Sequence, residues 1–75
     1  MNNREHAKKV QFLADAGVEP VKLAAACESA ANDADVNADA KPLFQAAVIC
    51  FGAGDSVSAL ACVAATLRVV NKRSA

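Results

Sequence analysis

Glycine and proline divide this chain into four short segments, and no other feature restricts its fold as strongly. Gly17 precedes Pro20, Pro42 opens a later segment, and Gly52 and Gly54 close that segment. Glycine readily takes the left-handed conformation that ends helices, and proline suits a first helical turn because its missing N–H needs no partner there. The sequence therefore predicts four short helices, over residues 3–16, 20–32, 42–51 and 56–71.

Residues at the segment ends agree with this division. Asn2 or Asn3 can cap the first helix and Asp55 the fourth, because each side-chain oxygen can accept an N–H of the first turn. The apolar runs 46–51 and 67–70 could instead form strands, but neither alternates cleanly between apolar and polar residues. An apolar stripe at helical spacing follows the first cap: Ala7, Val10, Leu13 and Ala14.

The third and fourth segments are apolar nearly all round. Of the 41 hydrophobic residues in the 75-residue chain, 19 are alanines, and the larger apolar side chains crowd into the second half. One small core cannot bury them all, and chains with surplus apolar surface tend to associate. We therefore expect an all-α fold, a compact bundle of three or four short helices with a central apolar helical hairpin. Residues 1–75 would form one small domain that assembles into a homodimer or small oligomer.

Two groups of residues are candidates for binding surfaces. The first consists of apolar positions on the predicted hairpin and would serve the core and self-association: Leu43, Phe44, Val48, Phe51, Val57, Leu60, Val63 and Leu67. The second combines the first helix with the acidic stretch after the second helix and would face another protein: Arg4, Lys8, Phe12, Asp33, Asp35 and Asp39.

The acidic stretch, "NDADVNADA" over residues 32–40, resembles the start of an EF-hand calcium loop. Asp33, Asp35 and Asn37 stand where such a loop has its first three oxygen ligands. The glycine position holds Ala38, however, and the bidentate glutamate position holds Phe44. Asx side chains also bond the local backbone in turns and helix caps. The stretch is therefore interpreted as a polar joint between two helices, and no metal site is predicted.

Catalytic and cofactor chemistry lacks its usual residues. Cys27, Cys50 and Cys62 form no close pair, so they are interpreted as small buried hydrophobes of a reducing cytoplasm. His6 is expected to face solvent. No CxxC zinc motif and no glycine-rich phosphate loop occurs. We expect a protein that is not an enzyme and holds no cofactor.

Nucleic acid and membrane are the competing partners. A small helix–turn–helix protein fits the length, but the formal net charge is zero and the second and third helices offer few base-reading side chains. A membrane-associated hairpin is the other alternative. Arg68, Lys72 and Arg73 would form the basic flank of such a hairpin. Asp55, however, lies within the hairpin, and each of its helices is shorter than the ~20 residues needed to cross a membrane. Both partners are therefore disfavoured.

The function predicted from these observations is that of a non-catalytic protein–protein interaction module. It would act in the cytoplasm as a homodimer that presents the first helix and the acidic joint to an unidentified protein. Small helical proteins of this size act as inhibitors or adaptors, including ones that phages carry. This comparison is one of size and class.

Overall fold

Four helices account for most of the chain in the computed structural model, which describes residues 1–70. They are α1 (Asn3–Asp15), α2 (Pro20–Ala31), α3 (Lys41–Gly52) and α4 (Ser56–Thr66). The described residues contain no strand. The prediction of an all-α bundle is thereby confirmed, and the strand alternative for residues 46–51 and 67–70 is wrong.

The helices begin and end where the capping residues place them. The Asn2 side chain accepts from the Glu5 N–H at 2.9 Å, and the Glu5 carboxylate accepts from the Asn2 N–H at 2.8 Å. This reciprocal pair is a capping box. At the other predicted cap, Asp55 accepts from the Ser58 N–H at 3.1 Å. Gly17 and Gly54 take φ values of +81° and +78°, so both turns need glycine.

The helices pack so that α3 lies between α2 and α4, while α1 contacts α2 and α4. The contact between α2 and α3 is the most extensive. The core forms around Phe44 and Phe51 of α3. The larger apolar side chains buried with them are Val10, Leu23, Val36 and Val63. The predicted hairpin of α3 and α4 is present, but α3 packs against α2 as well as against α4.

Alanine allows the helices to approach closely. Ala7, Ala30, Ala47 and Ala59 belong to four different helices, and all are fully buried. Their small side chains leave room for the two phenylalanines without long distances between the helix axes. The alanine-rich composition thus supplies contact area between helices more than hydrophobic volume.

The fourth helix is shorter than predicted. It ends at Thr66 rather than near Asn71, which lies outside the described residues together with Lys72 and Arg73. The Thr66 hydroxyl donates to the Val63 carbonyl at 2.6 Å within the last turn. Beyond that turn the carbonyls of Val69 and Val70 accept from side-chain amides of other segments, as described below. Valine has a slightly lower helix propensity than unbranched residues, and these carbonyls bond side-chain amides where the helix does not continue.

A pair of phenylalanines tests the placement of the core. Phe44 is fully buried and Phe12 is 72% exposed. We expect Phe44→Ala to lower the free energy of unfolding by about 3 kcal/mol or more, enough to unfold much of a small domain. Phe12→Ala should change it by less than about 0.5 kcal/mol. Urea unfolding followed by circular dichroism measures both, and equal losses would contradict this core.

Candidate interaction surfaces

The acidic stretch folds as a pair of Asx turns. The Asp33 carboxylate accepts from the Asp35 N–H at 2.9 Å, and the Asn37 side chain accepts from the Asp39 N–H at 2.8 Å. The same turn therefore repeats four residues later. The stretch is a polar joint between α2 and α3 in which Asp33 and Asn37 bond the local backbone, while the Asp35 carboxylate faces the Met1 amino group.

Two asparagines connect this joint to both ends of the described chain. The Asn3 side chain accepts from the Asn37 N–H at 2.8 Å and donates to the carbonyls of Val69 and Val70 at 3.5 and 3.4 Å. Asn37 also donates from its side chain to the Val70 carbonyl at 3.0 Å. Asn3 is only 1% exposed. The start of α1, the joint and the segment after α4 are thus held together by hydrogen bonds.

His6 is buried at this end of the bundle, so the expectation that it faces solvent is wrong. Its Nε2 lies 2.8 Å from the Asp33 carboxylate, and its ring meets Phe44 edge-on with centroids 6.1 Å apart. The reason is helical geometry, because His6 follows Asn3 by three residues and precedes Val10 by four. That spacing places it on the buried stripe and was the signal that could have located it.

Asp33 is held in its ionised form by three donors. The hydrogen bond with His6, then those from the Asp35 N–H and the Met1 amino group, keep its pKa well below the usual range. The Met1 amino group lies 3.0 Å from Asp33 and 3.4 Å from Asp35. The hydrogen bond to Asp33 raises the pKa of this amino group. We define Met1, Asn3, His6, Asp33, Asp35 and Asn37 as the polar cluster.

The three thiols differ in burial. Cys27 is fully buried, and burial raises its pKa to about 11. Cys50 and Cys62 are half-buried, and burial together with the neighbouring Cys62 raises the pKa of Cys50. Cys27 and Cys50 thus stay protonated at neutral pH and are weak nucleophiles. Within residues 1–70, no three histidine, cysteine or acidic side chains converge in a way that could hold a metal ion.

The second predicted surface is divided between α1 and the joint. Arg4, Lys8 and Phe12 are exposed and follow one another at four-residue spacing along α1. Asp35 and Asp39 are exposed on the joint, whereas Asp33 is half-buried beneath the start of α1. Whether these residues face a partner stays a prediction.

The first predicted surface is divided between core and surface. Phe44, Phe51 and Val63 are buried within the chain itself. Val57 is 83% exposed. The other members are half-buried: Leu43, Val48, Leu60 and Leu67. Most of the set thus contributes to the intramolecular core, and self-association stays a prediction.

An exposed stripe on α3 was missed by the sequence reasoning. Pro42, Gln45, Ile49 and Gly52 are all exposed and follow one another at spacings of three, four and three. That spacing is the one by which a helix presents a seam to a neighbouring helix. We call these four residues the outer seam of α3. No local signal marks this stripe in a segment that is apolar nearly all round, because only the packing of α3 shows which of its faces is buried.

The outer seam borders a shallow groove and carries no charge. Ile49 is 72% exposed, and the groove beside it lies between α2 and α3. Its lining residues are Glu28, Ala31, Asn32, Gln45, Val48 and Ile49. Across residues 42–67, Asp55 is the single charged residue. The helices between residues 1 and 70 are all too short or too polar to cross a membrane.

Comparison with known proteins finds no match. No family model fits the sequence, and no curated protein or solved structure is significantly similar to it. The function of the chain is therefore inferred from its surfaces and hydrogen bonds.

The asparagine contacts predict a stability effect. Asn3→Ala removes the acceptor of the Asn37 N–H and the donor to two carbonyls, so the free energy of unfolding should fall by about 1–3 kcal/mol. The Asn37 amide should also exchange its hydrogen faster. Asn32→Ala, at an exposed asparagine, is the control. Unchanged exchange at Asn37 would mean that Asn3 does not hold the joint.

The low pKa of Asp33 predicts how stability depends on pH. A carboxyl with a lowered folded-state pKa stabilises the fold above its unfolded pKa of about 3.9, and this contribution is lost as pH falls toward the folded value. The wild-type protein should therefore have a higher free energy of unfolding than Asp33→Asn at pH 7, and this difference should shrink below about pH 4. Urea unfolding at several pH values measures it. Asp39→Asn, at an exposed carboxylate, is the control, and a difference independent of pH would contradict the assignment.

Proposed function

We propose that this chain is a non-catalytic protein–protein interaction module whose binding surface is the outer seam of α3. One observation carries the proposal. A protein of 75 residues leaves Ile49, in the middle of an uncharged helical stripe, 72% exposed beside a groove. Interface centres are depleted of charged residues and are built around buried apolar anchors.

The outer face of α1 differs from this stripe. Phe12 is equally exposed, but Lys8, Lys9 and Asp15 are exposed on the same helix. Covering Phe12 requires these charges to be desolvated or paired by a partner. The residues along the outer seam are uncharged, and Glu28 is the single charged residue that lines the groove beside Ile49. The seam is therefore the surface that a protein partner covers at lower cost.

The chemistry of the remaining residues supports a role without catalysis. Cys27 and Cys50 have raised pKa values, and His6 is engaged with Asp33. Within the proposal the protein acts in the cytoplasm, where its thiols stay reduced, as an inhibitor or adaptor. Its partner is a second copy or another protein that offers a complementary apolar surface.

Site-specific cross-linking tests the proposal. The photoreactive amino acid p-benzoylphenylalanine is placed at position 49, and at position 12 as the control with the same exposure. Irradiation of living cells that express each variant should give covalent protein adducts from position 49, identified by mass spectrometry. Position 12 should give few.

Two results would count against this surface. Adducts from position 12 alone would move the binding surface to α1 and its neighbouring charges. No adduct from either position would leave the proposed module without a partner at both of these exposed apolar side chains. Both variants must first give the circular dichroism spectrum of the wild-type protein.

A further inference from the structure

We propose that Cys50 and Cys62 form a thiol pair that a low-molecular-weight disulfide converts into an intramolecular disulfide bond between α3 and α4. The carrying observation is a side-chain hydrogen bond that joins the two cysteines across the contact between these helices. The site is independent of the proposed binding surface, so the failure of either one leaves the other in place.

The two thiols meet because each cysteine lies beside the buried stripe of its own helix. Cys50 follows the fully buried Ala47 by three residues, and Cys62 follows the fully buried Ala59 by three. Residues at this spacing share a helix face, so both thiols lie along the contact between α3 and α4. The Asp55 N–H also donates to the Cys50 carbonyl at 2.8 Å, which fastens Cys50 to the start of α4.

Exposure separates this pair from the third thiol. Cys50 and Cys62 are half-buried, so a small disulfide in solvent can reach them, whereas Cys27 is fully buried. Burial, and then the neighbouring Cys62, raises the pKa of Cys27 to about 11. Cys62 thus lies near both other thiols, but only Cys50 combines this proximity with access to solvent. The bond that forms should therefore join Cys50 to Cys62.

The reaction is thiol–disulfide exchange, with the small disulfide as the oxidant. The thiolate of one cysteine attacks a sulfur of the small disulfide, so that a mixed disulfide forms and one small thiol leaves. The second cysteine then attacks the protein sulfur of the mixed disulfide, which closes the bond and releases the second small thiol. Two electrons pass from the protein to the small disulfide, and the two cysteine protons end on the released thiols.

The first step of this exchange should be slow at neutral pH. Burial, then Cys62 and Asp55, raises the pKa of Cys50, so little of its thiolate is present. The second step is intramolecular, because α3 and α4 already hold the cysteines together. In a reducing cytoplasm the pair stays reduced, and it closes when the pool of small thiols becomes oxidised. The closed bond constrains the unfolded chain, so the oxidised protein should unfold at a higher urea concentration.

Glutathione redox buffers test this inference on the full chain. The reduced protein is equilibrated at about pH 8 with mixtures of oxidised and reduced glutathione, quenched with acid, unfolded and alkylated at its remaining thiols. Mass spectrometry of the intact chain and its peptides then locates the disulfide. We expect a monomer with a Cys50–Cys62 bond, alkylation at Cys27 alone and a raised urea midpoint. Dithiothreitol should restore alkylation at all three cysteines.

Variants of each cysteine are the controls. Cys50→Ser and Cys62→Ser should each lose the intramolecular bond completely and carry at most a glutathione on the remaining half-buried thiol. Cys27→Ala should form the same bond as the wild-type protein. Circular dichroism checks that each variant folds.

Several outcomes would overturn the site. The wild-type chain could stay fully reduced in excess oxidised glutathione, or carry glutathione on Cys50 or Cys62 without closing the bond. A disulfide that includes Cys27, or one that links two chains, would also contradict the assignment. An unchanged urea midpoint after the bond has closed would overturn its stabilising effect on the hairpin.

Discussion

The hydrogen bonds of Asn3 and Asn37 hold together three parts of the chain that are far apart in sequence. They join the first turn of α1, the joint between α2 and α3, and the carbonyls that follow α4. Helices of 11 to 13 residues have little stability alone, so their relative placement depends on tertiary contacts of this kind. His6 bonds Asp33 of the same joint and meets Phe44 edge-on, so the joint is also connected to the core.

The arrangement of helices determines what remains exposed. Because α3 lies between α2 and α4, it buries the stripe that holds Phe44, Ala47 and Phe51. Because α3 has neighbouring helices on two sides only, the stripe that faces away from both of them stays exposed to solvent. A chain of 75 residues has no fifth element among its described residues to cover it. The exposure of Ile49 therefore follows from the size of the protein and from an apolar segment without a polar face.

Local signals made much of this fold predictable. Gly17, Gly54 and Asp55 act through the backbone of their own turns, so the sequence alone located those turns. The burial of His6 could have been read from its helical spacing, but its partner Asp33 and the partners that end α4 lie more than 25 residues away in sequence, and no local pattern identifies them. For the candidate site, composition indicated surplus apolar surface, but only the packing of α3 distinguished Ile49 from its buried neighbours. In the same way, the sequence made Phe44, Phe51 and Val63 candidates for both the core and self-association, and only the packing shows that they are buried within the chain.

Desolvation decides between the surfaces that remain. The carboxylate of Asp33 is already engaged within the chain, whereas Phe12 on α1 and Ile49 on the outer seam of α3 are equally exposed. Burying an apolar side chain such as Phe12 or Ile49 contributes about 1.5–3 kcal/mol. Burying an unpaired lysine costs several kcal/mol. On α1 the second quantity exceeds the first unless a partner supplies matching charges, whereas the outer seam of α3 is uncharged and Glu28 is the single charged residue in the groove beside it. Within the proposed function, an apolar partner would therefore cover the outer seam of α3 at a lower desolvation cost than α1.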